Sequence, residues 1–409
     1  MNDILPIRRR SFAQGLGLVG IGASLPNFLV KSALAGPQAE ADEPILVVIQ
    51  LAGGNDGLSS IVPFTNDIYY RNRAKTNVPA KEVLKINDEL GFCPSLTGFK
   101  ELYDDGQLSV IQGVGYPNPN RSHFTSMDIW HLADRQQRET NGWLGRYVDT
   151  CHAKNPDPKL AMAIQMNKTP RAISGTAHPG VAFRDPDSFR YTADRGNKRR
   201  KDLYTELNKA RMSEGHTELD WVATTANNAN LASEQVRKLA ASYTPHVEYP
   251  DTRLAKALMS VSAMIAGGLS TRVYYVSQKG FDTHAGQDVR HPQLMEELGG
   301  AVLAFQRDLA KHGNAQRVTS MAFSEFGRRV KENASRGCDH GKAGPMFVVG
   351  PKVKPGIYGD LPSLTDLDKG DLKHHTDFRS VYATLLEKWL KAPSQKILRE
   401  SYPLLEFVS

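Results

Sequence analysis

Apolar residues in this chain gather into short unbroken runs. Ile45–Ile49 is apolar at every position, and comparable runs recur at Leu108–Val114, Leu160–Gln165, Arg272–Ser277, Arg317–Phe323 and Met346–Gly350. A run without polar alternation predicts a strand covered on both faces, as in a parallel sheet. Between the runs, apolar positions recur at helical spacing over Ser95–Tyr103, Leu254–Ala266, Gln293–His312 and Phe378–Lys391, and a further helix is expected over Phe124–Leu132. Strands alternating with helices predict an α/β fold with a doubly wound, mostly parallel sheet and helices on both faces.

Residues 186–251 break this pattern. They are polar and helix-prone, with the basic run Lys198, Arg199, Arg200, Lys201. A loop of that length without structure of its own is uncommon, so the segment is expected to be a helical insertion or cap on the sheet.

The first 35 residues have a different character. Arg8, Arg9 and Arg10 precede Ser11 and Phe12, a weakly apolar Gly-rich stretch follows from Gly15 to Val30, and Ala33, Leu34, Ala35 close the segment. This order predicts an export signal cleaved after Ala35, and Arg9-Arg10 followed by x and Phe resembles the twin-arginine type. A spanning helix needs about 20 apolar residues, which the stretch interrupted by Pro26 and Asn27 does not supply. The expected organisation is a signal over 1–35 and one α/β domain over 36–409, periplasmic or secreted, with no transmembrane segment after signal removal.

Composition narrows the partners. The 409 residues carry a formal net charge of +7, which falls to +4 without the first 35. That surplus is too small and too dispersed for a nucleic-acid binder. Cys93, Cys151 and Cys338 are an odd count without CxxC spacing, which excludes a zinc knuckle or a disulfide framework.

In an open α/β sheet, ligands bind beyond the carboxyl ends of the strands. Asp56 follows the first run within GGNDG; Asp282 and His284 follow the Arg272–Ser277 run within GFDTH; Glu325, Arg328 and Arg329 follow Arg317–Phe323 within SEFGRR; Asp339 and His340 lie shortly beyond within DHG. The Leu108–Val114 run leads into Arg121, Ser122, His123 and Phe124. Carboxylates and imidazoles gathered from separate strand ends suit one or two divalent cations such as zinc, manganese, calcium or iron. A serine among them is either a nucleophile, since a metal makes a hydroxyl more acidic, or the cap of the helix it precedes. Arg121, Arg328 and Arg329 either grip anionic ester oxygens or pair with the neighbouring acids. His374 and His375 are left outside the metal set, because adjacent residues rarely point at one ion.

GGNDG, the SRSHF-type segment with Trp130, GWLGRY at Gly142–Tyr147, GFDTH, SEFGRR and DHG, in this order after a twin-arginine leader, resemble the domain-of-unknown-function 1501 family from about Ile45 to Leu390. That family in turn resembles the alkaline phosphatase and sulfatase superfamily, which implies metal-dependent hydrolysis of phosphate or sulfate esters with a Ser or Thr nucleophile. On this resemblance Asp56 is expected to hold a second metal, Ser122 to be the nucleophile, Asp282, His284 and His340 to hold the first metal, and Glu325 to replace the Asp of an Asp-His pair. Phe326 departs from the pattern, since it cannot ligate a metal; Asp339 or His123 are the residues able to compensate.

Two classes of function follow. One is an exported metal-dependent hydrolase acting on a small-molecule or glycan ester, with Ser122, Arg121 and Arg328 at the reaction centre. The other is a non-catalytic envelope protein that keeps the fold and a metal site to bind an anionic glycan or a protein.

Overall fold

The computed structural model describes residues 43–152, 161–178, 180–186 and 236–409, with isolated helical positions at 199, 202, 206 and 234. The segment read as an export signal and most of the expected insertion, 187–235, lie outside the described residues. Residues 236–242, at the end of that stretch, are helical.

Twelve strands follow in chain order: β1 (Ile45–Ala52), β2 (Ile61–Val62), β3 (Leu84–Lys85), β4 (Gly91–Phe92), β5 (Leu108–Gly115), β6 (Ala161–Ile164), β7 (Val181–Phe183), β8 (Val273–Lys279), β9 (Val318–Phe323), β10 (Gly344–Val349), β11 (Gly356–Tyr358) and β12 (Thr376–Asp377). Nine of them form the main sheet in the order β11-β5-β10-β9-β1-β8-β6-β7, with β12 also on β5; β2, β4 and β3 form a small second sheet. β1 lies between β8 and β9 and is parallel to both. β10 runs antiparallel to β9 and β5, so every other strand of the main sheet points the same way.

The unbroken apolar runs are explained by the two faces. Along β1, Ile45, Val47, Ile49 and Leu51 pack into one core with Phe99, Leu258, Val302 and Phe305. Leu46 and Val48 enter the other core with Trp130, Trp143, Leu144 and Tyr382. Helices Thr97–Asp104, Arg253–Ala266 and Gln287–Lys311 cover the first face; His123–Leu132, Trp143–His152 and Phe378–Thr384 cover the second. Burying each large apolar side chain contributes about 1.5–3 kcal/mol, so both faces must be covered for the central strands to be stable.

Two helices depart from the sequence pattern. The expected Gln293–His312 helix begins at Gln287 and carries Pro292 inside it. As the sixth residue of the helix, Pro292 gives up one internal hydrogen bond, and the helix runs through it. The expected Phe378–Lys391 helix is α-helical only over Phe378–Thr384 and continues as a π-turn over Leu385–Trp389. Among the described residues, no helix is long and apolar enough to cross a membrane.

Because β10 alone is reversed, the ends of β1, β5, β8 and β9 and the start of β10 share one sheet edge. Most of the candidate residues named from the sequence lie there.

Candidate metal centre

Gly53 begins the turn after β1 with φ +125, and a Cβ there would lie 2.4 Å from the backbone nitrogen of Asp282. Only glycine lets the ends of β1 and β8 approach so closely. The GFDTH loop is thereby held against the GGNDG turn, and the SEFGRR loop joins both from β9.

Three imidazoles meet at this edge. His123, the first residue of its helix, presents Nδ1 to Glu325 Oε1 at 2.8 Å. His284 presents Nδ1 to Asp339 Oδ1 at 3.1 Å. His340 presents Nδ1 to the carbonyl of Arg121 at 2.8 Å. Each partner oxygen is an acceptor, so each ring has a place for its proton at Nδ1 that leaves the Nε2 lone pair facing the cluster.

The Nε2 atoms converge on Asp282. His340 Nε2 is 3.2 Å and His284 Nε2 3.1 Å from Asp282 Oδ1, and His123 Nε2 is 3.5 Å from Oδ2. His284 and His340 approach nitrogen to nitrogen at 2.9 Å. Two lone pairs so close repel unless a cation stands between them. His123 Nε2 is buried without a hydrogen-bond partner. His123, Asp282 and His340 offer ligand atoms that all lie within 4.8 Å of one another, a spacing able to hold a metal ion. The donor set of imidazoles with one carboxylate, each ring held from behind by an oxygen, is of a kind that suits a transition metal.

The Glu325 hydrogen bond pushes His123 above the usual histidine value, against the opposing effect of burial. Burial pushes His340 below it. Burial alone would raise Asp282, but the hydrogen bond and charge of Arg328 work against it, and the carboxyl lies at about 2. Asp282 therefore stays an anion. Phe326 packs its ring 4.9 Å from His123 and 4.7 Å from His340, centroid to centroid, and is buried. It braces the imidazoles and does not offer a ligand.

The residues picked out in the sequence fall into three groups. Asp282, His284 and His340 come together with His123, whose segment the sequence singled out for its serine. Glu325 and Asp339 reach the cluster through the histidines they orient; Glu325 also accepts from the backbone of Gly53 at 2.9 Å. Asp56 is not brought to the cluster: it is buried, ion-paired to Arg73, and also accepts from Leu58 N, Ser59 and Gln287.

The arginines and the serine have distinct surroundings. Arg328 is buried and bonds the carbonyls of Gly53, Gly54, Phe281 and Cys338 as well as Asp282. Arg121 pairs with buried Asp371, which Arg329 Nε also approaches at 3.4 Å. Ser122 is exposed at the N-cap position of the His123–Leu132 helix, and its hydroxyl makes no capping bond. Ser122 is bracketed by Arg121, whose carbonyl holds His340, and by His123.

A family model described as a protein of unknown function (DUF1501) matches residues 44–393. The chain belongs to the DUF1501 family. No curated protein matches this DUF1501 chain. Among solved structures, the alkaline phosphatase of the Antarctic bacterium TAB5 is 12% identical with a TM-score of 0.33, covering 77% of this chain and 95% of its own. An alkaline phosphatase superfamily protein from Vibrio parahaemolyticus is 7% identical with a TM-score of 0.36, covering 96% and 79%. Murine ectonucleotide pyrophosphatase/phosphodiesterase 5, solved with AMP, is 9% identical with a TM-score of 0.35, covering 89% and 97%. Likeness at this level assigns no role to any DUF1501 residue.

Proposed function

We propose that this DUF1501 protein is an exported, metal-dependent hydrolase of phosphate or sulfate esters. The observation that carries the reading is the convergence of three imidazole Nε2 atoms on Asp282, each ring held by an oxygen at Nδ1. His123, Asp282, His284 and His340 would hold the ion, and imidazole-rich ligation favours zinc, iron or manganese over calcium. With a divalent ion bound, the site supplies Lewis-acid polarisation of an ester oxygen.

In this reading Ser122 is the nucleophile. Its hydroxyl is exposed, spends no bond on the helix cap, and sits between two residues that touch the cluster. The Ser122 oxygen forms a bond to phosphorus or sulfur while the ester oxygen leaves with its electron pair and takes up the hydroxyl proton. Water then cleaves the serine ester and restores the proton. Glu325, Asp339 and the Arg121 carbonyl hold the protons of the three imidazoles at Nδ1 throughout.

Elemental analysis of the purified protein, of His123→Ala and of His284→Ala, together with a panel of aryl phosphates and sulfates, tests the reading. Bound metal in the wild type, its loss in both variants, and turnover that falls by about a thousandfold or more in Ser122→Ala with the metal retained are expected. A wild type that binds metal and cleaves no ester favours the second reading, a non-catalytic envelope protein binding an anionic glycan or a protein. That reading is favoured by the commitment of Asp56 and Arg328 to internal partners. Export is tested by replacing Arg9 and Arg10 with Lys and fractionating cells; accumulation outside the cytoplasm should cease.

A further inference from the structure

The arginines nearest the imidazole cluster are committed to internal partners: Arg328 to four carbonyls and Asp282, Arg121 to Asp371. A substrate oxyanion therefore needs other donors. A cleft of about 470 Å³ opens beside His123 and Asp282, and Gln50, Lys279 and Arg171 line it.

Gln50 is 7% exposed. Its Oε1 accepts from the Tyr275 hydroxyl at 2.9 Å, and that hydroxyl lies 2.9 Å from Nε2 of buried His131. With Nε2–H of His131 donating to Tyr275, and Tyr275 donating to Gln50, the amide is locked with its oxygen turned inward. The two Nε2 hydrogens of Gln50 are left without an acceptor among the described residues, on a side chain that lines the cleft. An oriented donor with no protein partner, on a largely buried side chain that lines the cleft, is placed for a ligand oxygen.

The charges in the cleft point the same way. Asp128 is paired with Arg171 at 2.8 Å, Glu325 with His123, and Asp282 with Arg328. Lys279 ends β8 at the same edge, exposed, with no ion-pair partner among the described residues. Its ammonium is the cation left to meet an incoming anion.

We infer that Gln50 Nε2 and Lys279 Nζ, with Arg171 beside them, form the subsite that grips the free oxygens of a tetrahedral oxyanion, sulfate or phosphate. Gln50 and Lys279 are binding residues; Tyr275 and His131 position the amide. The inference deepens the hydrolase reading and rests on its placing the reaction at the imidazole cluster, which this cleft adjoins at His123 and Asp282.

The test is calorimetric titration of inorganic sulfate and, separately, inorganic phosphate into the zinc-loaded full chain, for the wild type, Lys279→Met and Gln50→Leu, with zinc content measured alongside. Loss of one charge-assisted bond should weaken anion binding about tenfold or more in each variant, with zinc content unchanged. The tighter of the two anions names the ester class. Affinities in both variants within about twofold of wild type, or no anion binding by the zinc-loaded wild type, would overturn the subsite. Lys279 is on the surface, so its variant decides the matter even where Gln50→Leu disturbs folding. If the wild type cleaves an ester and Lys279→Met cleaves it with unchanged KM, the subsite fails and the hydrolase reading stands. If anions bind through these residues and no ester is cleaved, the subsite stands and the hydrolase reading fails.

Discussion

Replacing Arg73 by Met should remove a large part of the protein's stability. The Arg73 side chain is wholly buried and paired with Asp56, itself 1% exposed. Two of its nitrogens reach the two carboxylate oxygens, one of them at 3.1 Å, while Nε donates to the Val330 carbonyl at 2.6 Å and a terminal nitrogen to that of Arg329 at 2.7 Å. Burial alone would raise Asp56, but the charge and hydrogen bonds of Arg73 outweigh it and hold the carboxyl well below its ordinary value. Taking one partner from a buried pair costs about 3–5 kcal/mol, because the other is left as an uncompensated charge. The two orphaned carbonyls add about 1 kcal/mol each. Against a total of about 5–15 kcal/mol for a typical domain, Arg73→Met should lower the urea midpoint sharply or leave the protein unfolded. Adding Asp56→Asn removes the stranded charge, so the double variant should be more stable than Arg73→Met alone. The reasoning is refuted if Arg73→Met costs less than about 1 kcal/mol, or if the two substitutions simply add.

Two further outcomes are expected. His291 and His131 are fully buried, and burial lowers their pKa values to about 4 and about 3. The unfolded chain, with histidine near 6.5, therefore binds more protons below that pH, so stability is fully present above pH 6.5 and is lost on acidification through these values, at roughly 1.4 kcal/mol per pH unit for each histidine. Urea melts from pH 7 to 4.5 should show this slope, and His291→Gln should flatten it; an unchanged slope excludes His291 as a cause. Gly337→Ala would set a Cβ 2.2 Å from the His284 carbonyl carbon, displacing the loop that carries His284. A drop in metal content and a destabilisation of about 1–3 kcal/mol should follow, read by elemental analysis and thermal melt.

The strands were legible because a central parallel strand is apolar at every position, and β1, β5, β8 and β9 begin within one residue of the apolar runs. Reversal of β10 left no trace in its composition, since direction depends on the connection and not on the residues. At the sheet edge, residue types led to the expectation of a metal, and the motifs after β8 and β9 do meet. Burial and partnership were not legible. Asp56 and Arg73 are 17 positions apart, in a turn and a loop without periodicity, and nothing local marks them as a pair. The sequence left Arg328 either to grip an ester oxygen or to pair with a neighbouring acid; it pairs with Asp282, and the fold also surrounds it with carbonyls that no local pattern foretells. His123 was named only as a residue able to compensate for Phe326, and its place at the cluster was not legible because its orienting partner, Glu325, is 202 positions away. Gln50 has no sequence signature at all, being one polar residue in an apolar strand.

The guanidinium of Arg328 joins three loops at once: it bonds Gly53 and Gly54 after β1, Phe281 and Asp282 after β8, and Cys338 beside Asp339. Segments that would otherwise sample many arrangements are thus fastened into a frame before any ion arrives. If the cluster takes a metal as proposed, the entropy of assembling its ligands is spent during folding and not during capture. Small zinc domains behave in the opposite way, with folding and metal uptake as one event. Here a chelator should strip the ion and leave the architecture standing, ready for reloading, and exchange among competing metals becomes a matter of coordination chemistry alone.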